Sequence, residues 1–167
     1  MHLRPARESD LPALIELARR SWLSGFAESA PEAFVQEWLA RDFERDWYPR
    51  HWPSMTVAEA DGVVLGVVQP MADEINGLWV DPTAQGRGVG SALLAHGEAQ
   101  ITSAGYDRAW LSCSGFNLKG QRFYLARGYI WFRRWAAISL DRPVSHNQCA
   151  LCRLAVYRYR LNYPMLS

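Results

Sequence analysis

The sequence lacks a surplus of charge of either sign. Lys and Arg together number 18, and Asp and Glu together number 17, in a chain of 167 residues. A domain devoted to nucleic acid or to an anionic membrane surface normally carries a clear basic excess. We therefore expect neither nucleic acid nor membrane as a partner, and the charge balance alone names no other.

Long apolar stretches are also missing. No window approaches the roughly 18 apolar residues that a membrane-spanning helix needs. The first ten residues, MHLRPARESD, contain nothing like the apolar segment of a signal peptide. These two absences predict a soluble protein in the cytoplasm.

Cysteine is scarce. Cys113, Cys149 and Cys152 cannot all pair within one chain, so reduced thiols are expected. His146 joins the last two in the segment HNQCALC, whose spacing offers three zinc ligands, but no second cysteine pair completes a structural site. We expect no metal here and favour a loop that leads into a strand, with zinc as the alternative.

What the sequence does contain is the pattern of one α/β domain. Helical spacing of apolar residues follows Ser9 or Asp10 and again follows Pro31, and Asp61-Gly62 separates two strand-like runs as a hairpin turn would. No repeat or linker divides the chain. We predict a single domain over residues 1–167, with a mixed, mostly antiparallel sheet of about seven strands and about four helices.

Three glycines alternate in the segment VDPTAQGRGVGSALL, between a predicted strand, Glu74 to Val80, and a predicted helix of about Gly88 to Ala104. Glycines at a strand-to-helix turn expose backbone N–H groups at the positive end of the helix dipole, which suits an anion such as phosphate. A Walker-type loop would need Gly-Lys-Ser/Thr at its end, and a dinucleotide fingerprint would need a glycine where Ser91 stands. Both fit poorly.

A third pattern fits better. Gln85 to Gly90 matches Q/R-x-x-G-x-G/A, a strand reading LWVDP precedes it, and Asn117 and Tyr124 follow in NLKGQRFYLARGYIWF. In the order and separation of these motifs, the C-terminal two-thirds of the chain resembles the GNAT N-acetyltransferase superfamily.

The resemblance implies a fold and a donor. Strands 4 and 5 should splay apart, and acetyl-CoA should bind with its pantetheine arm in the gap and its pyrophosphate on the glycine loop. It also implies an acceptor-side half (1–70), an acetyl-CoA-binding core (71–135) and a C-terminal strand and tail (136–167). The implied donor-binding residues are Leu78, Trp79, Val80, Gln85, Gly86, Arg87, Gly88, Val89, Gly90, Ser91, Asn117 and Lys119.

Direct transfer to an amine needs an acid and a base. Resemblance places the Tyr124 hydroxyl beside the leaving sulfur, where a phenol protonated at neutral pH can donate; a core aromatic is the alternative. Glu74 is the candidate base, since some members carry a glutamate there, although a solvent-facing edge charge is an equal interpretation. Strand alternation would put Glu74, Asn76 and Leu78 on one face.

The acceptor is predicted only as a primary amine of a small molecule or peptide. Aromatic side chains that line the cleft would favour an amine attached to an apolar or aromatic body and could hold a cation on their ring faces. The acidic side chains Glu28, Glu32 and Glu37 would instead favour a polyamine, aminoglycoside or peptide amine. The sequence does not choose between them. The aromatic candidates are Trp22, Phe26, Trp38, Trp47, Tyr48, Trp52, Trp131 and Trp135.

Two hypotheses from other classes stay open. One is a module that binds acyl-CoA as a sensor without transferring anything. The other is a self-association or protein-binding domain, in which the alternating segment RLAVYRYRLNYP forms an exposed strand that pairs with a partner or with a second copy. For this segment we favour the alternative, a last strand paired within its own sheet.

Overall fold

The computed structural model describes residues 1–26, 29–136 and 153–160. These ranges form one α/β domain with a mixed sheet, as the pattern predicts. The strands are β1 (His2–Pro5), β2 (Thr56–Ala60), β3 (Val63–Met71), β4 (Glu74–Val80), β5 (Arg108–Ser114), β6 (Ile130–Ala136) and β7 (Arg153–Arg160). The α-helices are α1 (Leu11–Phe26), α2 (Glu32–Arg41), α3 (Phe43–His51), α4 (Val89–Ser103) and α5 (Leu118–Leu125).

The described part of the chain therefore has five α-helices where about four were expected. The additional one is α3, which follows α2 after Asp42 alone. Asp42 has a φ of 46°, so the chain turns sharply between the two helices. Helix α3 was not predicted because its sequence, FERDWYPRH, is strongly charged and contains Pro49 in the last turn.

The sheet has seven strands in the order β1-β2-β3-β4-β5-β7-β6. Neighbouring strands are antiparallel except β4 and β5, which are parallel. Strand β7 lies between β5 and β6 and pairs with both, so its two backbone edges are used inside the sheet. This is the expected strand paired within its own sheet, and the hypothesis of an exposed strand open to a partner is wrong for Arg153–Arg160. Residues 161–164 of that segment lie outside the described residues.

Turn chemistry agrees with the predicted hairpin between β2 and β3. Asp61 has a φ of 52° and Gly62 a φ of 76°, the paired positive values of a two-residue hairpin turn. The alternating side chains of these strands then enter opposite faces of the sheet. Val67 packs against α1 and α3, whereas Val68 belongs to the cluster under α4.

Helix α4 lies close against the sheet. A Cβ at Gly97 would come within 2.9 Å of Ile75 Cδ1 and 3.1 Å of Val68 Cγ2, so this position has no room for a side chain. Leu93 and Leu94 of the same helix are almost fully buried. Since burying a leucine side chain contributes roughly 1.5–3 kcal/mol, these contacts stabilise the position of α4 on the sheet and of the glycine loop that precedes it.

Among the helices of residues 1–26, 29–136 and 153–160, none combines the length and the hydropathy that a membrane-spanning segment needs.

A β-bulge interrupts β4. Gln69 of β3 opposes Gly77, and the next residue, Pro70, opposes Ile75, so Asn76 is an extra residue without a direct counterpart. Ile75 and Leu78 both pack in or against the cluster under α4 although they are three residues apart. The expected strict alternation from Glu74 to Leu78 is therefore wrong, because the bulge shifts the face on which each side chain lies.

Candidate functional site

The sheet opens between β4 and β5. These strands pair at one register position, Glu74 with Trp110, where the Trp110 N–H also donates to the Asp73 carbonyl at 3.0 Å. Within the described residues of the two strands, no ladder continues toward Val80 and Ser114. This is the splay that the resemblance implies, and it leaves the β5-facing edge of β4 open beside the glycine loop.

The glycine loop enters α4 in a conformation that favours glycine. Gly86 and Gly88 have φ values of 74° and 85°, and Gly88 is the N-cap of α4. Because Gly88 has no side chain, it cannot accept a hydrogen bond from the first-turn N–H groups of α4. A left-handed glycine followed by the positive end of a helix dipole is a suitable site for a phosphate.

An ion pair that the sequence analysis missed braces this loop. Arg20 of α1 donates to the buried Asp81 through Nη2 at 2.7 Å and Nε at 3.2 Å, and Asp81 also accepts from the Thr83 N–H and hydroxyl. Burial of Asp81 raises its pKa, but the hydrogen bonds from Thr83 and Arg20 outweigh burial and leave the pKa below its ordinary value. The pairing joins residues 61 positions apart, so no local signal reveals it.

Together these elements enclose a cleft with a volume of about 470 Å³. Its walls come from the second half of α1, the end of β4, the glycine loop and α5. The lining residues are Ser21, Gly25, Leu78, Trp79, Val80, Gln85, Gly86, Gly88, Gly90, Ser91, Asn117, Lys119, Gly120, Phe123, Tyr124 and Arg127. The structure thus brings most of the predicted donor-binding residues to one surface.

Three of the predicted donor-binding residues in the glycine loop do not offer a free side chain to a ligand in the cleft. Arg87 is exposed and does not line the cleft, and Val89 is 3% exposed because its side chain packs in the cluster under α4. Gln85 lines the cleft, yet its side-chain amide donates to the Val80 carbonyl at 3.2 Å. Gln85 therefore links the loop to the end of β4.

The start of α5 forms the opposite wall. Asn117 caps this helix, since its Oδ1 accepts from the Gly120 N–H at 2.8 Å, and it lies against Gly25 of α1. Lys119 is exposed, and its Nζ is 3.5 Å from the Ser24 carbonyl. Both line the cleft, Asn117 as the cap of α5 and Lys119 as an exposed cation.

Tyr124 is both a core aromatic and a cleft residue. It is 9% exposed, and its ring makes edge contacts with Phe123 and Tyr129 at centroid distances of 5.2 and 5.6 Å. Burial raises the pKa of the Tyr124 hydroxyl, the nearby Cys113 raises it further, and Arg127 lowers it in part. The phenol is thus protonated at neutral pH, and Tyr124 is one of the residues that line the cleft.

The family follows from a comparison with known sequences. Residues 11–129 match the model of the Acetyltransferase (GNAT) family. The chain belongs to the GNAT acetyltransferase family. No curated protein matches the chain at a significant level.

Solved structures show the same fold at low sequence identity. A GCN5-related N-acetyltransferase of Rhodopseudomonas palustris has a TM-score of 0.77 at 23% identity, with 96% of this chain and 95% of that one covered. The PaiA N-acetyltransferase of Thermoplasma acidophilum, in complex with coenzyme A, has a TM-score of 0.72 at 19% identity and coverages of 95% and 98%. An N-acetyltransferase of Staphylococcus aureus has a TM-score of 0.66 at 17% identity and coverages of 96% and 98%.

Glu74 lies apart from the cleft of this GNAT domain. It is half-buried at the start of β4 and is not among the described residues that line the cleft. Burial and the neighbouring charge of Asp73 raise the pKa of the Glu74 carboxyl to about 7. Asp73 itself accepts a hydrogen bond from the Trp110 indole at 3.0 Å. Glu74 therefore lies at the start of β4, at the opposite end of this strand from Val80.

Sequence reasoning missed Arg127 and Phe123, which both line the cleft of this GNAT domain. Arg127 lies just after α5, with its guanidinium carbon 3.6 Å from the centroid of the Phe123 ring. It donates to the Ser91 hydroxyl and, at 2.9 Å, to the Phe123 carbonyl. The four-residue spacing of the pair is a helical signal that could have indicated a shared face.

The predicted aromatic acceptor site is largely core. Trp22 stacks on Phe26 and Trp38 at centroid distances of 4.5 and 3.8 Å, and all three rings are buried. Tyr48 is 1% exposed, and none of these four lines the cleft. Trp22, Phe26 and Trp38 form one cluster between α1 and α2, whereas Tyr48 packs in a second cluster between α1, α3 and the sheet.

The other acceptor-side predictions divide between described and undescribed parts of the chain. Trp47 stacks on His51 and donates to Gln69, and Trp52 packs against the same core cluster as Trp47. Neither tryptophan lines the cleft. Glu37 forms an ion pair with Arg41. Glu28, the HNQCALC segment and the side chains of Trp131 and Trp135 lie outside the described residues.

Proposed function

We propose that this protein is an N-acetyltransferase that moves an acetyl group from acetyl-CoA to a primary amine of a small molecule or peptide in a ternary complex. The observation that carries the proposal is the cleft, in which a glycine loop, the start of α4, the open edge of β4 and the Tyr124 phenol meet. Coenzyme A bound to the Thermoplasma neighbour supports the choice of donor.

The described residues fit such a donor. The cleft lining contains Lys119 and Arg127 but no carboxylate among the described residues, and the open space at Gly86 and Gly88 leaves room for a phosphate close to the backbone. The Gly86–Ser91 segment would hold the pyrophosphate with its N–H groups. The edge of β4 from Leu78 to Val80 would pair with the pantetheine arm as an added strand does, with Asn117 beside it.

Acetyl-CoA supplies a thioester whose carbonyl carbon the amine attacks and whose sulfur leaves. In our proposal Tyr124, which lines the cleft, gives its phenolic proton to that sulfur as the C–S bond breaks. A phenol is protonated at neutral pH and can therefore donate. The β4 backbone beside the gap offers hydrogen-bond donors for the carbonyl oxygen.

Glu74 is the proposed base that takes the proton from the attacking amine, through a water since it does not line the cleft. A carboxyl with a pKa of about 7 is well matched to proton transfer near neutral pH. The division into an acceptor-side half (1–70) and a donor-binding core (71–135) belongs to the same proposal. Of the sixteen lining residues, only Ser21 and Gly25 come from the first part.

Turnover with a panel of amines tests the proposal. Release of the free CoA thiol is followed with a chromogenic disulfide, for wild type and Tyr124→Phe. For a general acid we expect kcat to fall about 100- to 10,000-fold while the Kd for CoA stays within about twofold. Intersecting initial-velocity lines are expected for a ternary complex.

Two results would contradict the proposal in different ways. Tight CoA binding without turnover of any amine would favour the acyl-CoA sensor. Absence of CoA binding by the folded protein, checked by circular dichroism, would remove acetyl-CoA as the donor.

A further inference from the structure

Arg127 is held beside the first turn of α4 by one ring contact and two hydrogen bonds. Its guanidinium stacks over the Phe123 ring, its Nη1 donates to the Phe123 carbonyl, and its Nη2 donates to the Ser91 hydroxyl. Phe123 in turn packs against α4, since a Cβ at Gly90 would lie 3.3 Å from the Phe123 ring. The Arg127 guanidinium is therefore hydrogen-bonded to α4, the helix whose first turn lines the cleft.

The position of Ser91 locates this charge along the donor site. Gly88 is the N-cap of α4, so Ser91 is its third residue, within the first turn that carries the positive end of the dipole. A guanidinium hydrogen-bonded to Ser91 therefore adds a full positive charge where the helix provides a partial one. The guanidinium and the glycine loop both line the cleft, so they present a positive charge and backbone N–H donors to the same space.

Lys119, the other cationic side chain among the described lining residues, makes fewer contacts than Arg127. Lys119 is exposed at the opposite wall, 3.5 Å from the Ser24 carbonyl, whereas Arg127 is half-buried and fixed by stacking and two hydrogen bonds. A side chain that is already ordered loses little rotamer entropy when a ligand binds. Arg127 also presents several N–H donors in one plane, which suits phosphate oxygens.

We propose that Arg127 is a binding residue for the diphosphate of the CoA donor, where it acts with the Gly86–Ser91 loop and distinguishes diphosphate-containing donors from shorter pantetheine thiols. This inference rests on the proposed function, because it assigns a residue to the same donor site.

A ladder of four ligands tests the inference by titration calorimetry. Coenzyme A and 3′-dephospho-CoA contain the diphosphate, 4′-phosphopantetheine contains one phosphate, and pantetheine contains none. For Arg127→Gln we expect the Kd for the first two to rise at least about tenfold and by the same factor, the change for phosphopantetheine to be smaller, and the Kd for pantetheine to stay within about twofold.

Arg122→Gln is the matched control. Arg122 is exposed on the same helix and does not line the cleft, so this variant changes the net charge equally and should bind all four ligands as wild type does. Arg127→Lys keeps the charge but loses the planar donors and should recover only part of the affinity. If Arg127→Gln lowers the melting temperature, the ratio of the CoA loss to the pantetheine loss, measured below that temperature, still separates phosphate contact from misfolding.

The outcomes separate this inference from the proposed function. Wild-type binding of CoA with an Arg127→Gln variant that binds it equally well would overturn the inference and leave the proposed function standing. Equal losses for CoA and pantetheine would assign Arg127 a packing role only. A loss confined to CoA and absent for 3′-dephospho-CoA would assign it to the 3′-phosphate instead. Failure of wild type to bind CoA would overturn both.

Discussion

Replacement of Gly88 by alanine tests whether the backbone of the glycine loop serves binding. Gly88 has a φ of 85°, and a Cβ built there meets no atom within 4 Å. The cost to folding is therefore backbone strain without a clash, roughly 1–2 kcal/mol for a left-handed non-glycine residue. A stiffer unfolded chain returns about 0.4–1 kcal/mol, so we expect a net loss near 1 kcal/mol.

The effect on the donor site should be larger. Gly88 lines the cleft, so the added methyl group points into the space proposed for the diphosphate. We expect the melting temperature to fall by about 2–4 °C, whereas the Kd for CoA should rise at least about tenfold.

Gly62→Ala is the matched control. Gly62 has a φ of 76°, also with no atom within 4 Å of a built Cβ, but it lies in the hairpin turn between β2 and β3 and does not line the cleft. Urea unfolding and calorimetry of both variants should show similar losses of stability, with CoA binding impaired only for Gly88→Ala. Normal CoA affinity in Gly88→Ala, or an equal defect in Gly62→Ala, would refute the argument.

Three further predictions concern the base, the brace of the loop and the core. If Glu74 is the base, kcat/KM should rise as the pH increases through about 7, where its carboxylate form takes over, and Glu74→Gln should remove that rise; an unchanged profile in the variant would assign the ionisation elsewhere. Arg20→Gln should cost no more than about 1 kcal/mol of stability, since the Arg20 side chain is 54% exposed, and should raise the KM for acetyl-CoA. Because the pKa of Asp81 is lowered, the stability difference should be complete above its ordinary value of 3.8 and should shrink below it in urea titrations at several pH values. Leu93→Ala should destabilise the fold by about 2–5 kcal/mol in urea unfolding, and a loss below about 1 kcal/mol would mean that α4 is not packed as described.

The parts of the fold that were predicted well have local signals. The hairpin at Asp61-Gly62 follows from residues that accept a positive φ, and α4 and α5 end close to Gly105 and Gly128, as expected of glycine stops. Helix α3 was missed because Pro49 and its charged residues oppose the usual helical pattern.

For the candidate site, the family resemblance indicated that the glycine loop, Asn117 and Tyr124 belong together, and all of them line the cleft. The local pattern by itself accounts only for the glycine loop, because a strand-to-helix turn is built from neighbouring residues. Local alternation failed at Glu74, since the bulge at Asn76 depends on how β3 pairs with β4. The sequence pattern also could not indicate which aromatic rings are buried in the core, since their burial depends on how α1 packs against α2.

The amino-acid pattern thus determines most of the elements, the glycine loop between β4 and α4, and the family, all of which depend on residues near one another along the chain. Tertiary structure alone decides where β4 and β5 separate, that Arg20 braces Asp81, and that Arg127 lies against Ser91. Contacts between residues 36 to 61 positions apart depend on how helices pack on the sheet, and packing of this kind leaves no periodic trace in the sequence.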